Sequence, residues 1–452
     1  MANQPMNGQQ YGPGITRIAV TGFKSLAEKT DVEIRPLTVL AGANSSGKSS
    51  LMQPLLLMKQ TLESSIVPAG PFLLSGPYTQ YTEAKQFLSR VNQSFLRQVV
   101  IDFLLKRGWT AGMTYSIDSD GNFDLIETRG SVDSIETGWT ITPNSTSDEL
   151  KGHFGKIWFP LGSNESAESL TFSAIRSRFY HSIQATLSDS PQVRQFQPNV
   201  MTEIKVLVSE IARLIHIPGL RGDQLRKWLL TEIPATNVYE GPFESYVPSI
   251  IEYWQQTNPV ISPSISELND ALKLLGLASS IRTLRLNESQ VEMRVPRAFN
   301  SNENDFVNVA DVGLAVSTVL PVLVALIQAE PGQLVYIEQP ELHLHPKAQV
   351  LIAQLLAKAA NRGVRLVIET HSSLLLQGIL TCVAKGTITP ENVALHWFSR
   401  NEDGVTKVTT ADIDAEGRFG DWPADFDDVE MNASNDYLDA VESKLMATKG
   451  AA

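Results

Sequence analysis

Eight residues, Gly42, Ala43, Asn44, Ser45, Ser46, Gly47, Lys48 and Ser49, constrain this chain more than any other feature. They fit the pattern G-x-x-x-x-G-K-S and lie where its physics requires, after the apolar run Leu37 to Ala41 and before a helix beginning near Gly47. Glycines at both ends let the backbone curl tightly enough for its N–H groups to cradle phosphate oxygens, and the helix N-terminus adds partial positive charge. The expected phosphate contacts come from Gly42, Asn44, Ser45, Gly47, Lys48, Ser49 and Ser50, with the Lys48 amine on the β and γ phosphates of ATP and the Ser49 hydroxyl on Mg²⁺. Pro54, inside the following helix, removes a backbone hydrogen bond and is expected to bend or shorten it.

A phosphate loop of this kind needs a sheet with a large apolar interior. The 452 residues, 42% apolar and 19% charged, supply one and exclude a disordered or fibrous chain. Two or three domains, or one core with a long insertion, are expected. The single cysteine, Cys382, cannot form an internal disulfide, and residues 1–14 lack the basic and apolar regions of a signal peptide, so they read as a flexible tail on a cytoplasmic protein. Val312 to Ala329 carries no charge, but Pro321, Ser317, Thr318 and Gln328 interrupt it, and it reads as a buried core helix with no membrane role.

Net charge is −12, and residues 401–452 hold most of it, with 13 acidic against 4 basic side chains. The body is therefore close to neutral, so no global basic field draws in nucleic acid, and DNA binding would need a local patch. The acidic stretch reads as a solvated face or as a docking surface for a basic partner.

Along the chain, Ile15 to Thr21 and Val32 to Leu40 have strand composition. Residues 64–173 alternate short apolar runs (Met113 to Ile117, Phe123 to Ile126, Lys156 to Phe159) with turn residues, which predicts a β-rich subdomain with one helix near Phe95 to Lys106. Residues 174–277 read as a helical insertion, with helices expected over Val200 to Ile215, Gln224 to Leu230, Val247 to Gln256 and Ile265 to Leu275. Strands return at Ile281 to Leu286 and Gln290 to Val295, and Asn300 to Asp305 reads as a polar loop. The ATPase core is thus expected from 15–63 and 278–400, followed by an acidic segment, 401–452.

Two further strands end in polar residues. Leu334 to Ile337 runs into Glu338, Gln339, Pro340 and Glu341; after a helix over Lys347 to Ala360, Arg365 to Ile368 runs into Glu369, Thr370, His371 and Ser372. Strand, helix, strand at this spacing implies a parallel pair whose carboxyl ends share one edge, where ligands bind. A carboxylate ending an apolar strand suits Mg²⁺, so Glu338 joins Ser49 as an expected metal ligand, and His371 is placed to bond the γ phosphate or the attacking water. His343, His345 and His371 match no recognised zinc spacing.

Together the phosphate loop, Glu338 to Pro346 (EQPELHLHP), Glu369 to Ser372 (ETHS) and the opening Gly22, Phe23, Lys24, Ser25 resemble the P-loop ATPases of the structural-maintenance-of-chromosomes (SMC) and RecF type, within the ABC ATPase superfamily. More narrowly, the chain resembles bacterial ATPases related to the overcoming-lysogenization-defect (OLD) proteins, several of which are paired with nucleases in antiphage defence systems such as Septu, PARIS and some retrons. Asp311 to Ser317 stands where that family has its signature motif. The resemblance implies an α/β head with a mixed sheet. It further implies a homodimer, or a higher homo-oligomer, in which nucleotide on Lys48 and Ser49 of one copy is capped by Gly313 and Ser317 of the other. Glu338, Gln339 and His371 would be the hydrolytic residues.

Three departures matter. Ala315 occupies a position where a second glycine is common. Gln339 stands where relatives often have a glutamate, and an amide cannot accept a proton, so slow hydrolysis is expected. The Asp-x-Asp pairs after His371, Asp412 with Asp414 and Asp425 with Asp427, read as solvated turns, which puts nuclease chemistry on another polypeptide. The leading expectation is an ATP-gated regulator of a separate effector. A RecF-like DNA-repair ATPase and a non-hydrolysing scaffold remain as alternatives, while an ABC transporter motor lacks the LSGGQ sequence.

Overall fold

The computed structural model describes residues 14–419 apart from 92, 106–107, 133–137, 159–169, 188–200, 222–224, 258–263 and 300–304. The strands are β1 (Ile15–Thr21), β2 (Thr30–Glu33), β3 (Leu37–Gly42), β4 (Arg90–Val91), β5 (Ser94–Phe95), β6 (Gln98–Leu105), β7 (Thr110–Ile117), β8 (Phe123–Ser131), β9 (Trp139–Ile141), β10 (Leu170–Ser177), β11 (Tyr180–Leu187), β12 (Ile215–Ile217), β13 (Trp228–Leu229), β14 (Arg282–Arg285), β15 (Gln290–Pro296), β16 (Phe306–Asn308), β17 (Leu334–Glu338), β18 (Arg365–Thr370), β19 (Val393–Arg400) and β20 (Thr406–Ala411). The helices are α1 (Lys48–Glu63), α2 (Ser147–Trp158), α3 (Thr202–Arg213), α4 (Val247–Gln256), α5 (Ser264–Leu274), α6 (Leu314–Gln328), α7 (Pro346–Asn361) and α8 (Ser373–Ala384).

The central sheet runs β12-β17-β18-β3-β19-β20, parallel except for β20, which returns antiparallel to β19. Every residue of β3 and β18 is buried, as expected of parallel strands covered on both faces. Alternate side chains feed two cores. Val39, Ile337 and Ile368 pack with helices α4 to α8, whereas Leu40, Tyr336 and Val367 pack with α1, α3 and a second, antiparallel sheet of order β2-β1-β6-β7-β8-β9. The expected parallel pair at 334 and 365 is present, with Pro346 opening the crossover helix α7.

Several elements differ from the sequence reading. Phe95 to Lys106, expected as a helix, contains β6, whose residues alternate between buried and more open positions as a two-residue period requires. Val32 to Leu40 is two strands in two sheets, because Pro36 has no N–H to continue a ladder. Lys156 and Trp158 close α2, while Phe159 lies outside the described residues. The helix expected over Gln224 to Leu230 is replaced, where described, by β13. Pro54 neither ends nor shortens α1, which continues to Glu63. Five buried neighbours, Leu51, Leu55, Leu56, Leu57 and Met58, each contribute about 1.5–3 kcal/mol of burial, against about 3 kcal/mol for an interior proline.

The expected segment boundaries also shift. Residues 174–277 begin inside β10 and contain β12, an edge strand of the central sheet, so this stretch is no detachable helical block. Ile215 to Ile217 is too short to show a period of its own and follows directly on the helical pattern of α3. Residues 401–452 likewise contribute β20 to the same sheet. Asp412 and Asp414 follow that strand, and Asp414 closes a turn by accepting the Glu416 and Arg418 N–H groups. The tail before residue 14 lies outside the described residues, as do Asp425, Asp427 and most of the loop at 300–305. Among the described residues, no helix is long and apolar enough to cross a membrane.

Candidate functional site

The loop leaving β3 turns on three left-handed residues, Gly42 (φ 142°), Ser45 (φ 61°) and Gly47 (φ 107°). A Cβ on Gly42 would lie 2.1 Å from Phe398 O, and one on Gly47 would lie 2.3 Å from Thr406 Oγ1, so both positions need glycine. The Thr406 hydroxyl hydrogen-bonds Ser46 O (2.7 Å) and Ser25 Oγ (2.8 Å), clamping the loop from β20. No motif in the sequence marks Thr406; it became visible only when β20 joined the sheet.

Lys48 lies across this loop, with Nζ donating to Gly42 O and Ala43 O, each at 2.8 Å. Burial lowers the pKa of its amine, and nearby Glu369 partly offsets the effect. Ser49 Oγ donates to Glu369 Oε1 at 2.8 Å, and the Tyr336 hydroxyl donates to Glu369 Oε2 at 2.7 Å. Burial raises the Glu369 carboxyl above its usual value, although both of these bonds favour the charged form. Glu369 was visible in the sequence only as part of ETHS. The strand order explains its place, because β18 separates β17 from β3 and puts Glu369 next to the phosphate loop.

Glu338 pairs in register with Glu369 at the same edge. Its own bonds go elsewhere: His216 Nε2 donates to Oε1 and the Gly219 N–H to Oε2, each at 3.0 Å. Burial pushes the Glu338 carboxyl up, but these donors outweigh it and hold the group below the usual carboxylate range. Thus the Ser49 hydroxyl is bonded to Glu369, while Glu338, expected to hold Mg²⁺ together with Ser49, is bonded to His216 and Gly219. Gln339 has φ 47°, and its N–H donates to Glu369 O at 2.7 Å.

His371 follows β18. Burial and the Lys48 charge push its imidazole pKa down, while a bond to the Gly42 backbone works the other way. The His371 backbone N–H and the Thr370 hydroxyl both donate to Glu341 Oε1, at 3.3 and 2.6 Å, and burial raises the Glu341 carboxyl. His345 caps α7, its Nδ1 accepting from the Lys347 N–H. Gly313 is the N-cap of α6 and Ser317 lies on its first turn. Ser317 edges a cavity of about 700 Å³ shared with Tyr78, His216, Pro218, Arg221 and Trp228.

These residues suit a nucleotide. The buried Ser46 hydroxyl has no hydrogen-bond partner, and Lys48 spends its donors on loop carbonyls that phosphate oxygens could replace. Ser49, Glu338 and Glu369 are hard oxygen donors of the kind Mg²⁺ takes.

A family model described as "AAA domain, putative AbiEii toxin, Type IV TA system" matches residues 37–377, and one described as "Protein of unknown function (DUF3696)" matches residues 388–433. The chain is similar to "Old nuclease" of Escherichia phage P2, 21% identical over an alignment 380 residues long that covers 80% of this chain and 57% of that protein. It therefore spans little more than half the length of that relative. Solved structures similar to it include the SMC head domain from Thermotoga maritima (9% identity, TM-score 0.39, covering 88% of this chain and 98% of that one). Another is the Smc head domain with an extended coiled coil bound to the C-terminal domain of ScpA, derived from Pyrococcus furiosus (11% identity, TM-score 0.43, covering 88% and 96%). At these TM-scores neither likeness carries an argument about this chain. The match across 37–377 takes in the phosphate loop and both carboxylate-bearing strands, and the chain belongs to the AAA-domain family of that description.

Proposed function

We propose that this chain is an ATP- and Mg²⁺-binding switch that hydrolyses ATP slowly, pairs with a second copy through nucleotide, and controls a partner effector of nuclease class in antiphage defence. The observation that carries the reading is the convergence of Lys48, Ser49, Glu369, Glu338 and His371 on one carboxyl edge of the central sheet. ATP with Mg²⁺, when bound, supplies the phosphoanhydride whose cleavage resets the switch. Lys48 and the loop N–H groups hold phosphate oxygens; Ser49, with Glu338 or Glu369, holds the metal; His371 orients the γ phosphate or the water. Gln339 offers no base, which accounts for slow turnover. Gly313, where an added Cβ would meet nothing within 4 Å, and Ser317, at the edge of a cavity, stand open to cap the nucleotide of a second copy. The effector class rests on the likeness to Old nuclease.

The test has two parts. Phosphate release from MgATP should exceed that of Lys48→Ala, and MgATP should convert monomer to dimer in light scattering. Binding without turnover would favour the non-hydrolysing scaffold that Gln339 also fits. Tight, salt-sensitive binding of duplex DNA by the purified protein would favour the RecF-like reading.

A further inference from the structure

Residues 216–221 make four hydrogen bonds to Glu338 and Gln339: two reach the Glu338 carboxylate from His216 and Gly219, and two reach backbone carbonyls from Arg221. Arg221 is the unusual member. Nε donates to Thr318 O (2.8 Å), Nη1 to Pro218 O (2.8 Å) and Glu338 O (2.6 Å), and Nη2 to Gln339 O (2.6 Å). All four acceptors are main-chain carbonyls, drawn from β12's exit, the turn after β17, and α6. Burial is severe enough to pull the guanidinium pKa down to about 10. Keeping a charge there is costly unless its donors are well used, and here they fasten three elements at one point.

What they fasten matters for the proposed chemistry. The Glu338 and Gln339 carbonyls flank the place where the chain leaves β17, and Gln339 holds a left-handed φ of 47°. Thr318 lies on α6 one turn beyond Gly313, in the stretch where Pro321 cannot donate to Ser317 O. The same segment continues to Arg226, which grips Asp311 with both nitrogens (3.1 and 2.5 Å) just before Gly313. Any shift of α6 against β17 must stretch the Arg221 bonds.

We propose that Arg221 is a positioning residue that fixes the Glu338–Gln339 turn and ties it to α6, so that the placement of the signature helix sets the hydrolytic geometry. This rests on the ATP-hydrolysing reading above.

The experiment compares wild type, Arg221→Lys and Arg221→Ala in full-length protein, reading kcat, KM for MgATP, nucleotide Kd and Tm. A lysine has one compact ammonium and cannot span four carbonyls in a plane. Arg221→Lys should keep Tm within a few degrees and Kd within about threefold while losing at least about tenfold in kcat, the pattern of a lost transition-state arrangement. Methylguanidinium, entering through the adjoining cavity, should restore part of the Arg221→Ala turnover where methylammonium does not. A kcat for Arg221→Lys within twofold of wild type overturns the assignment, as does a loss matched by weaker Kd. Failure of both variants to fold also overturns it, by making Arg221 a determinant of the fold. Wild-type turnover no higher than that of Lys48→Ala refutes the hydrolytic reading itself, a result separable from the others.

Discussion

Replacing Gly47 by alanine tests the phosphate loop through a contact no motif announces. The new Cβ would lie 2.3 Å from Thr406 Oγ1 and 2.8 Å from Ser25 Oγ, where ordinary contact begins at 3.4 Å. Holding alanine at φ 107° costs about 1–2 kcal/mol. Thr406 can retreat only by giving up its bonds to Ser46 O and Ser25 Oγ, about 1 kcal/mol each. Ser46 and Gly47 belong to the loop that holds phosphate, so the loss falls on ligand binding. A total of about 3–4 kcal/mol corresponds to a loss of about 100- to 1,000-fold in ATP affinity. Calorimetric titration of ATP reads this directly, with Tm as the control for folding. Thr406→Ala alone should cost about 30-fold, from the same two hydrogen bonds. Adding Thr406→Ala to Gly47→Ala should cost little more than the glycine variant alone, because that variant has already given up both Thr406 bonds. An affinity for Gly47→Ala within threefold of wild type, or a double variant no better than the product of its singles, refutes the account of the clamp.

Gln339→Glu supplies a carboxylate beside Glu338 and Glu369, where like charges keep it basic; kcat should rise at least about tenfold, and an unchanged rate in a phosphate-release assay would show that the amide is not the brake. Lys59 donates from α1 to Ala212 O, Tyr239 O and Glu63 (2.8, 3.0 and 2.7 Å), so Lys59→Met should cost about 3 kcal/mol in urea unfolding, at the low end because Tyr78 and Gly241 still serve Glu63. A cost under about 1 kcal/mol would mean that residues 201–246 are only loosely joined to the phosphate-loop helix. Burial depresses the His181 imidazole to about 4, below its unfolded value, so the stability it contributes is fully present above about pH 6.5 and is lost as pH falls toward 4. Wild type should therefore lose about 2 kcal/mol more than His181→Gln between pH 7 and 4.5, and parallel stability curves would contradict this.

What the sequence made legible is what local chemistry marks. The phosphate loop needs glycines and a lysine at fixed spacing, and β17 and β18 end in acids after unbroken apolar runs, so their shared edge followed from connectivity alone. Which acid meets Ser49 did not follow. That depends on β18 lying between β17 and β3, and strand order is set by packing across the whole sheet, which no single stretch encodes. The misread helix at Phe95 to Lys106 has a related cause: Gln98 to Leu105 carries apolar residues at spacings that both periods accept, and its partners β1 and β7 decide between them.

Arg221 and Thr406 carry this one step further. Each sits in a stretch whose composition suggested something peripheral, an insertion for one and an acidic segment for the other. Yet each acts on the site through main-chain carbonyls, Glu338 and Gln339 in one case and Ser46 in the other. A carbonyl acceptor is the same in every residue, so such a contact leaves no trace in the residue types it holds. The side chains that touch phosphate and metal can be read from spacing, but those that hold the backbone beneath them can be found only from the folded chain, and on them the geometry of Gln339 and of the loop depends.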